Sequence, residues 1–189
     1  MNRLPGRRSA RHAALVSARV AVGLGLVASV WGHAWAGDGE NAVSAAVGYA
    51  TYATPNEDED ETLRPTAGGT LAATYERGLG DYAAWRVHGA GALYGGGGTA
   101  TTGLVTVGLS YRVDVLRYVP YVAVGVGGIV RSGGPFETGV EPVLELAGGV
   151  DWLRGRDRSW GLAGSLTGFA RDTTTFSLCL RSTWRWGYF

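Results

Sequence analysis

The sequence predicts an all-β chain, an eight-stranded antiparallel up-and-down transmembrane β-barrel. Three observations point there. From Gly37 onward eight stretches alternate apolar with small or polar residues at period two, which is how a strand with two unlike faces reads. No sustained 3.6-residue pattern and no run long enough for a membrane helix competes with them. The apolar phase of the alternation also carries no charge at mid-strand, whereas a water-facing exterior would carry many.

Composition narrows the classes before any strand is placed. The chain has 189 residues, a length for one domain, with 46% hydrophobic and 17% charged residues. That balance opposes a disordered chain and a basic nucleic-acid-binding face, so no nucleic-acid partner is expected. One Cys excludes an internal disulfide framework, and with three His it leaves too few ligands for a zinc-finger-type site. No metal and no cofactor is expected.

The first 36 residues read as an export signal. Arg3, Arg7, Arg8, Arg11 and Arg19 precede the apolar run Val20 to Trp31, and Ala34-Trp35-Ala36 supplies small residues before Gly37. A 12-residue apolar run falls short of the roughly 20 helical residues that cross a bilayer, which argues for cleavage after Ala36 over an uncleaved anchor. Residues 37–189 then form the barrel domain. Losing five of 17 Arg leaves 12 against 16 acids, so the exported chain carries a charge of about −4.

The eight strands are expected at 42–53, 67–78, 83–94, 102–113, 119–131, 141–153, 159–171 and 175–188. Longer polar connections at 54–66, 95–101 and 132–140 alternate with tight ones at 79–82, 114–118 and 154–158. The fourth connection on the long side, near Asp172 to Thr174, is short. Tight turns facing the periplasm would put the long connections outside the cell.

One phase of the alternation presents Val43, Val47, Leu71, Val87, Val105, Leu109, Val124, Leu146, Leu162, Leu178 and Leu180. The other presents Thr70, Thr74, Glu76, Arg86, His88, Thr106, Ser110, Arg112, Gly125, Gly127, Glu145, Asp151, Cys179, Arg181 and Arg185. Gly, Ala, Ser and Thr with charges of both signs make a poor dry core but can fill a narrow eight-stranded lumen. Aromatics gather beside the tight turns, as a girdle at a membrane interface requires: Tyr82, Trp85, Tyr111, Tyr118, Trp152, Trp160, Trp184, Trp186 and Tyr188. A soluble sandwich or lipocalin-like barrel would share the period but invert the faces.

Hydrocarbon enforces closure, because every backbone amide must find a partner within the protein. With apolar residues outward, Glu76, Glu145 and Asp151 face Arg86, Arg112, Arg181 and Arg185 inside, where ion pairs pin the register and block the bore.

Two segments carry a family resemblance. Val119 to Gly128, reading VPYVAVGVGG, resembles the fifth-strand region of small outer-membrane barrels of the OmpA, OmpX and OmpW type. Gly148 to Trp152, a charged turn, and Ser159 to Gly164 resemble the strand-turn-strand that follows in those proteins. The C-terminal Phe189 is similar to the terminal aromatic that the outer-membrane assembly machinery reads in that family, although Trp184, Trp186 and Tyr188 alternate out of phase with it. The resemblance implies an outer-membrane location, contact with outer-membrane lipid and lipopolysaccharide, passage through the assembly machinery, and a monomer. No peptidoglycan-binding sequence follows the barrel, so no wall-anchoring role is expected.

Candidate chemistry is sparse. His88 is the single His after residue 36 and points inward near Arg86, which favours lumen hydrogen bonding over general-base catalysis. Lipid A deacylases of similar size carry a His and a Ser two apart, whereas this chain reads His88-Gly89-Ala90. The run Glu57-Asp58-Glu59-Asp60-Glu61 lies in the first long connection and lacks the Gly-punctuated spacing of a calcium loop, so it reads as a solvated charge run. Gly95 to Gly98 and Gly125 to Gly128 lack the Lys and the following helix of a phosphate-cradling loop. Cys179 is expected inside as an isolated thiol.

The function expected is a structural, envelope-integrity or surface-interaction role, with no enzymatic activity. A narrow channel for small or apolar solutes stands second and a lipid A modifying enzyme third.

Overall fold

A computed structural model describes residues 39–53, 66–95, 99–113, 117–133, 136–155, 157–169 and 174–187. Residues 1–36, expected to be an export signal, the acidic run 57–61, Gly96 to Gly98, Tyr188 and Phe189 lie outside them. Eight strands follow in chain order: β1 (Asn41–Ala53), β2 (Thr66–Gly78), β3 (Ala83–Tyr94), β4 (Ala100–Arg112), β5 (Tyr118–Gly133), β6 (Phe136–Leu153), β7 (Arg158–Phe169) and β8 (Thr174–Trp186). Each pairs antiparallel with the next, and β1 pairs with β8 from Asn41↔Trp186 to Ala53↔Thr174, closing the sheet. Closure leaves no edge of unpaired amides and carbonyls.

The faces are sorted as the alternation requires. Val124, Leu146 and Leu180 are exposed on the outer surface, Leu180 at 64%, while Glu145 is 1% and Arg181 5% exposed inside. The largest fully buried side chains are Glu76, Glu145, Thr106, Thr167, Thr183, Asp151 and Ser159. A water-soluble domain buries its aliphatic residues; here the polar ones are interior and the aliphatic ones exterior.

Two expectations need correction. Residues 132–140 are mostly strand, because β5 continues to Gly133 and β6 begins at Phe136. The register shifts between Arg131 and Gly133, whose φ of +82° is a left-handed conformation that glycine adopts without Cβ strain. The interior is also not polar throughout. Tyr52 and Tyr94 meet edge to face at 4.9 Å beside Ala50, Ala92 and Ala100, and Leu104, Ile129 and Val143 pack together nearby. Both groups sit toward the long connections, so the bore has an apolar layer there, with Arg131 and Glu141 beside it and the remaining charges at mid-height and toward the tight turns.

Candidate functional site

The charged and hydrogen-bonding interior is assembled from residues on β2 to β8, each inward because of its phase. Glu145 on β6 is one centre. Its carboxylate meets Arg86 Nη2 at 3.2 Å and accepts a hydrogen bond from the Thr106 hydroxyl. His88 Nδ1 lies 2.7 Å from Glu145 Oε1, a close approach without hydrogen-bond alignment. Gly125 makes room for this group, since a Cβ there would lie 3.3 Å from the Thr106 side chain and 3.5 Å from Glu145 Oε2.

Asp151 is the second centre. Its Oδ2 accepts hydrogen bonds from Ser159 Oγ at 3.2 Å, Thr183 Oγ1 at 3.2 Å and Arg185 Nη2 at 2.9 Å. Arg185 Nη1 also donates to Ser159 Oγ at 2.8 Å. On the wall beside it, a Cβ on Gly161 would collide with Asp151 and the β6 backbone, so only glycine admits the carboxylate there.

Arg181 links the Asp151 centre, through Thr183, to Glu76. It reaches Glu76 Oε2 at 3.1 Å, donates from Nε to Thr183 Oγ1 at 3.1 Å, and stacks its guanidinium 4.6 Å from the centre of the Tyr121 ring. A Cβ on Gly149 would lie 2.8 Å from that ring, so a second glycine accommodates Tyr121.

Arg112 is placed differently from the expectation. It faces inward, but its partner is Glu40 at 3.6 Å rather than Glu76, Glu145 or Asp151; Glu40 also lies 3.4 Å from Arg185. Glu40 precedes β1 yet shares the phase of inward Ala42, the signal that would have found it. Arg131 and Glu141 form a further interior pair; they end the strands expected at 119–131 and 141–153 in the inward phase, the signal that would have found them. Among the described residues the interior thus holds five arginines, Arg86, Arg112, Arg131, Arg181 and Arg185, against five carboxylates, Glu40, Glu76, Glu141, Glu145 and Asp151.

At mid-height an internal cavity of about 40 Å³ remains, lined by Ala46, Ala72, Ala90, Ala147 and Ala163 together with Arg86, His88, Glu145 and Arg181. It has room for one to about three waters. Cys179 also borders it, buried and outside any disulfide. No group of three His, Cys, Asp or Glu residues among the described residues is arranged to hold a metal ion.

On the outer face the Trp residues and most of the Tyr residues lie at the tight-turn ends of their strands, while Tyr49 and Phe176 lie toward the long connections. Trp152 and Trp160 are directly opposite one another, Tyr118 is opposite Trp152, and Trp184 and Trp186 follow on β8. Tyr111 packs near Tyr82 at 6.0 Å, and Trp85 contacts Tyr75 edge to face at 5.3 Å. All except the half-buried Trp85 and Tyr75 are exposed.

This geometry recurs in solved proteins. Neisserial surface protein A superposes with a TM-score of 0.62 at 9% identity, covering 77% of this chain and 97% of that one. The attachment invasion locus protein Ail of Yersinia pestis gives 0.57 at 16%, covering 79% and 99%, and OprG of Pseudomonas aeruginosa gives 0.54 at 11%, covering 80% and 99%. The fold is that of the small eight-stranded outer-membrane barrels. The sequence matches no protein-family model and no curated protein.

Proposed function

We propose that this chain is an outer-membrane barrel with a structural or surface-interaction role, exported by residues 1–36, folded through the outer-membrane assembly machinery and working as a monomer among lipid and lipopolysaccharide. One observation carries the reading: the exterior is aliphatic and the interior holds five arginines and five carboxylates in pairs. From Phe176 to Trp186 the outward side of β8 is apolar except for Ser182, a span of about 25 Å for strands tilted by roughly 40°. That matches the height of the lipid-facing band of such barrels.

The interior supports a closed body over a conduit. Eight strands leave a bore that side chains just fill, and here the tyrosine layer and the ion pairs occupy it at different heights. A lipid-modifying enzyme gains little support, because His88 is 6% exposed and faces the bore, away from any acyl chain in the bilayer. An interaction role would fall to the long connections, the first of which carries Glu57 to Glu61. Ail has been solved with a heparin analogue, sucrose octasulfate. Five consecutive acids would repel such a polyanion, so a cationic partner fits this chain better.

Outer-membrane fractionation combined with gel mobility before and after boiling tests the proposal. A band in the outer-membrane fraction that migrates faster unheated is expected; a chain recovered in the soluble periplasm would overturn it.

A further inference from the structure

Across four neighbouring strands, the outward residues at one height are Val122, Gly148, Gly164 and Leu178. Two adjacent strands therefore lack side chains there. Toward the tight turns the next outward rows are Val150 and Leu162, then Trp152 and Trp160. Together they form a groove of about 540 Å³ on the outer face, within the roughly 300–1,000 Å³ of ligand sites. The barrel wall does not require Gly164: a Cβ there would meet only Ser177 O at 3.7 Å and Gly148 O at 3.9 Å, ordinary contacts.

The groove opens toward positive charge. The turn after β6 reads Arg154-Gly155-Arg156-Asp157-Arg158 in the sequence, three arginines to one acid. Arg154, Arg158 and Arg117 are exposed, and the Leu153 amide donates to Arg117 O at 2.9 Å, which fastens the two arginine-bearing turns side by side. Arg158 lies 3.5 Å from Asp157, but both are about two-thirds exposed, leaving guanidinium donors accessible.

We infer that this groove binds one anionic glycerophospholipid, its phosphate on Arg154, Arg158 and Arg117 and an acyl chain running past Trp152 and Trp160 into the notch at Gly148 and Gly164. The inference rests on the membrane reading above. Depth fits a single leaflet: six residues from Gly148 to Arg154 rise about 15 Å at a tilt of roughly 40°, half of a hydrocarbon core about 30 Å thick. Charge selects the headgroup and the missing side chains select the chain position.

Native mass spectrometry of the exported chain, refolded in detergent with equimolar phosphatidylglycerol and phosphatidylcholine, tests it. The wild type should retain one phosphatidylglycerol in preference to phosphatidylcholine. Arg154→Gln with Arg158→Gln should lower that preference by about fivefold per arginine removed while leaving phosphatidylcholine retention unchanged. Gly164→Leu should reduce retention of both lipids, and if it fails to give the heat-modifiable band, Gly164→Ala should give a partial loss. Equal retention of the two lipids by the wild type, retention unchanged in the folded variants, or displacement of phosphatidylglycerol by added lipopolysaccharide would overturn the inference. A wild type without a heat-modifiable band would instead count against the barrel reading itself.

Discussion

Arg86 on β3 and Glu145 on β6 meet at 3.2 Å across the bore, although two strands separate them in the sheet. The pair is a cross-brace: it ties opposite walls at a height where backbone hydrogen bonds run only between neighbours. Removing one partner strands the other charge in a buried site.

Glu145→Leu is expected to cost about 3–5 kcal/mol, because Arg86 is left buried without its carboxylate. Arg86→Leu combined with Glu145→Leu should recover part of that loss, with a coupling of about 0.5–3 kcal/mol. Urea titration of the folded barrel in lipid vesicles measures all three variants. Strictly additive losses would mean the brace contributes nothing as a pair.

The sheet and its two faces were legible because side-chain phase is a local property, readable along each strand without knowing its neighbour. Val124 outward and Glu145 inward follow from alternation alone. Partner choice was not legible in the same way. The β1–β8 closure sets Glu40, just before β1, beside Arg185, and Arg112 on β4 meets it across the bore, a relation set by register around the whole barrel. Tyr52 and Tyr94 lie in the inward phase of β1 and β3, yet a local reading of mostly small and polar residues hides that they meet. The β5–β6 hairpin was read as loop because Gly133, Gly134 and Pro135 are turn residues. In the structure β5 runs to Gly133 and β6 starts at Phe136, so both strands continue beyond the expected length.

On the closed-body reading proposed above, two layers fill the bore, so removing one should not open it. Vesicles containing the wild type or the Tyr52→Ala, Tyr94→Ala double variant should both show ion flux at the level of empty vesicles. The Arg86–Glu145, Arg181–Glu76 and Arg185–Asp151 pairs remain below the lost tyrosines in that variant. Sustained conductance in the wild type would favour the channel reading.

All five Trp residues after residue 36 belong to the aromatic set at the tight-turn ends. Intrinsic fluorescence therefore reports that girdle alone. Lipids brominated near the headgroup should quench it more strongly than lipids brominated near the chain terminus, as interfacial indoles require. The reverse order would place the aromatics at mid-membrane.

The orientation of the two faces is tested most directly by Leu146→Arg, read as the change in unfolding free energy in lipid vesicles. Leu146 sits half exposed at mid-strand on the outer face, directly opposite Val124 and Leu166. A loss of about 2–4 kcal/mol is expected for an arginine at the bilayer midplane. A change within about 0.5 kcal/mol, as at an ordinary water-exposed position, would contradict the membrane-facing assignment.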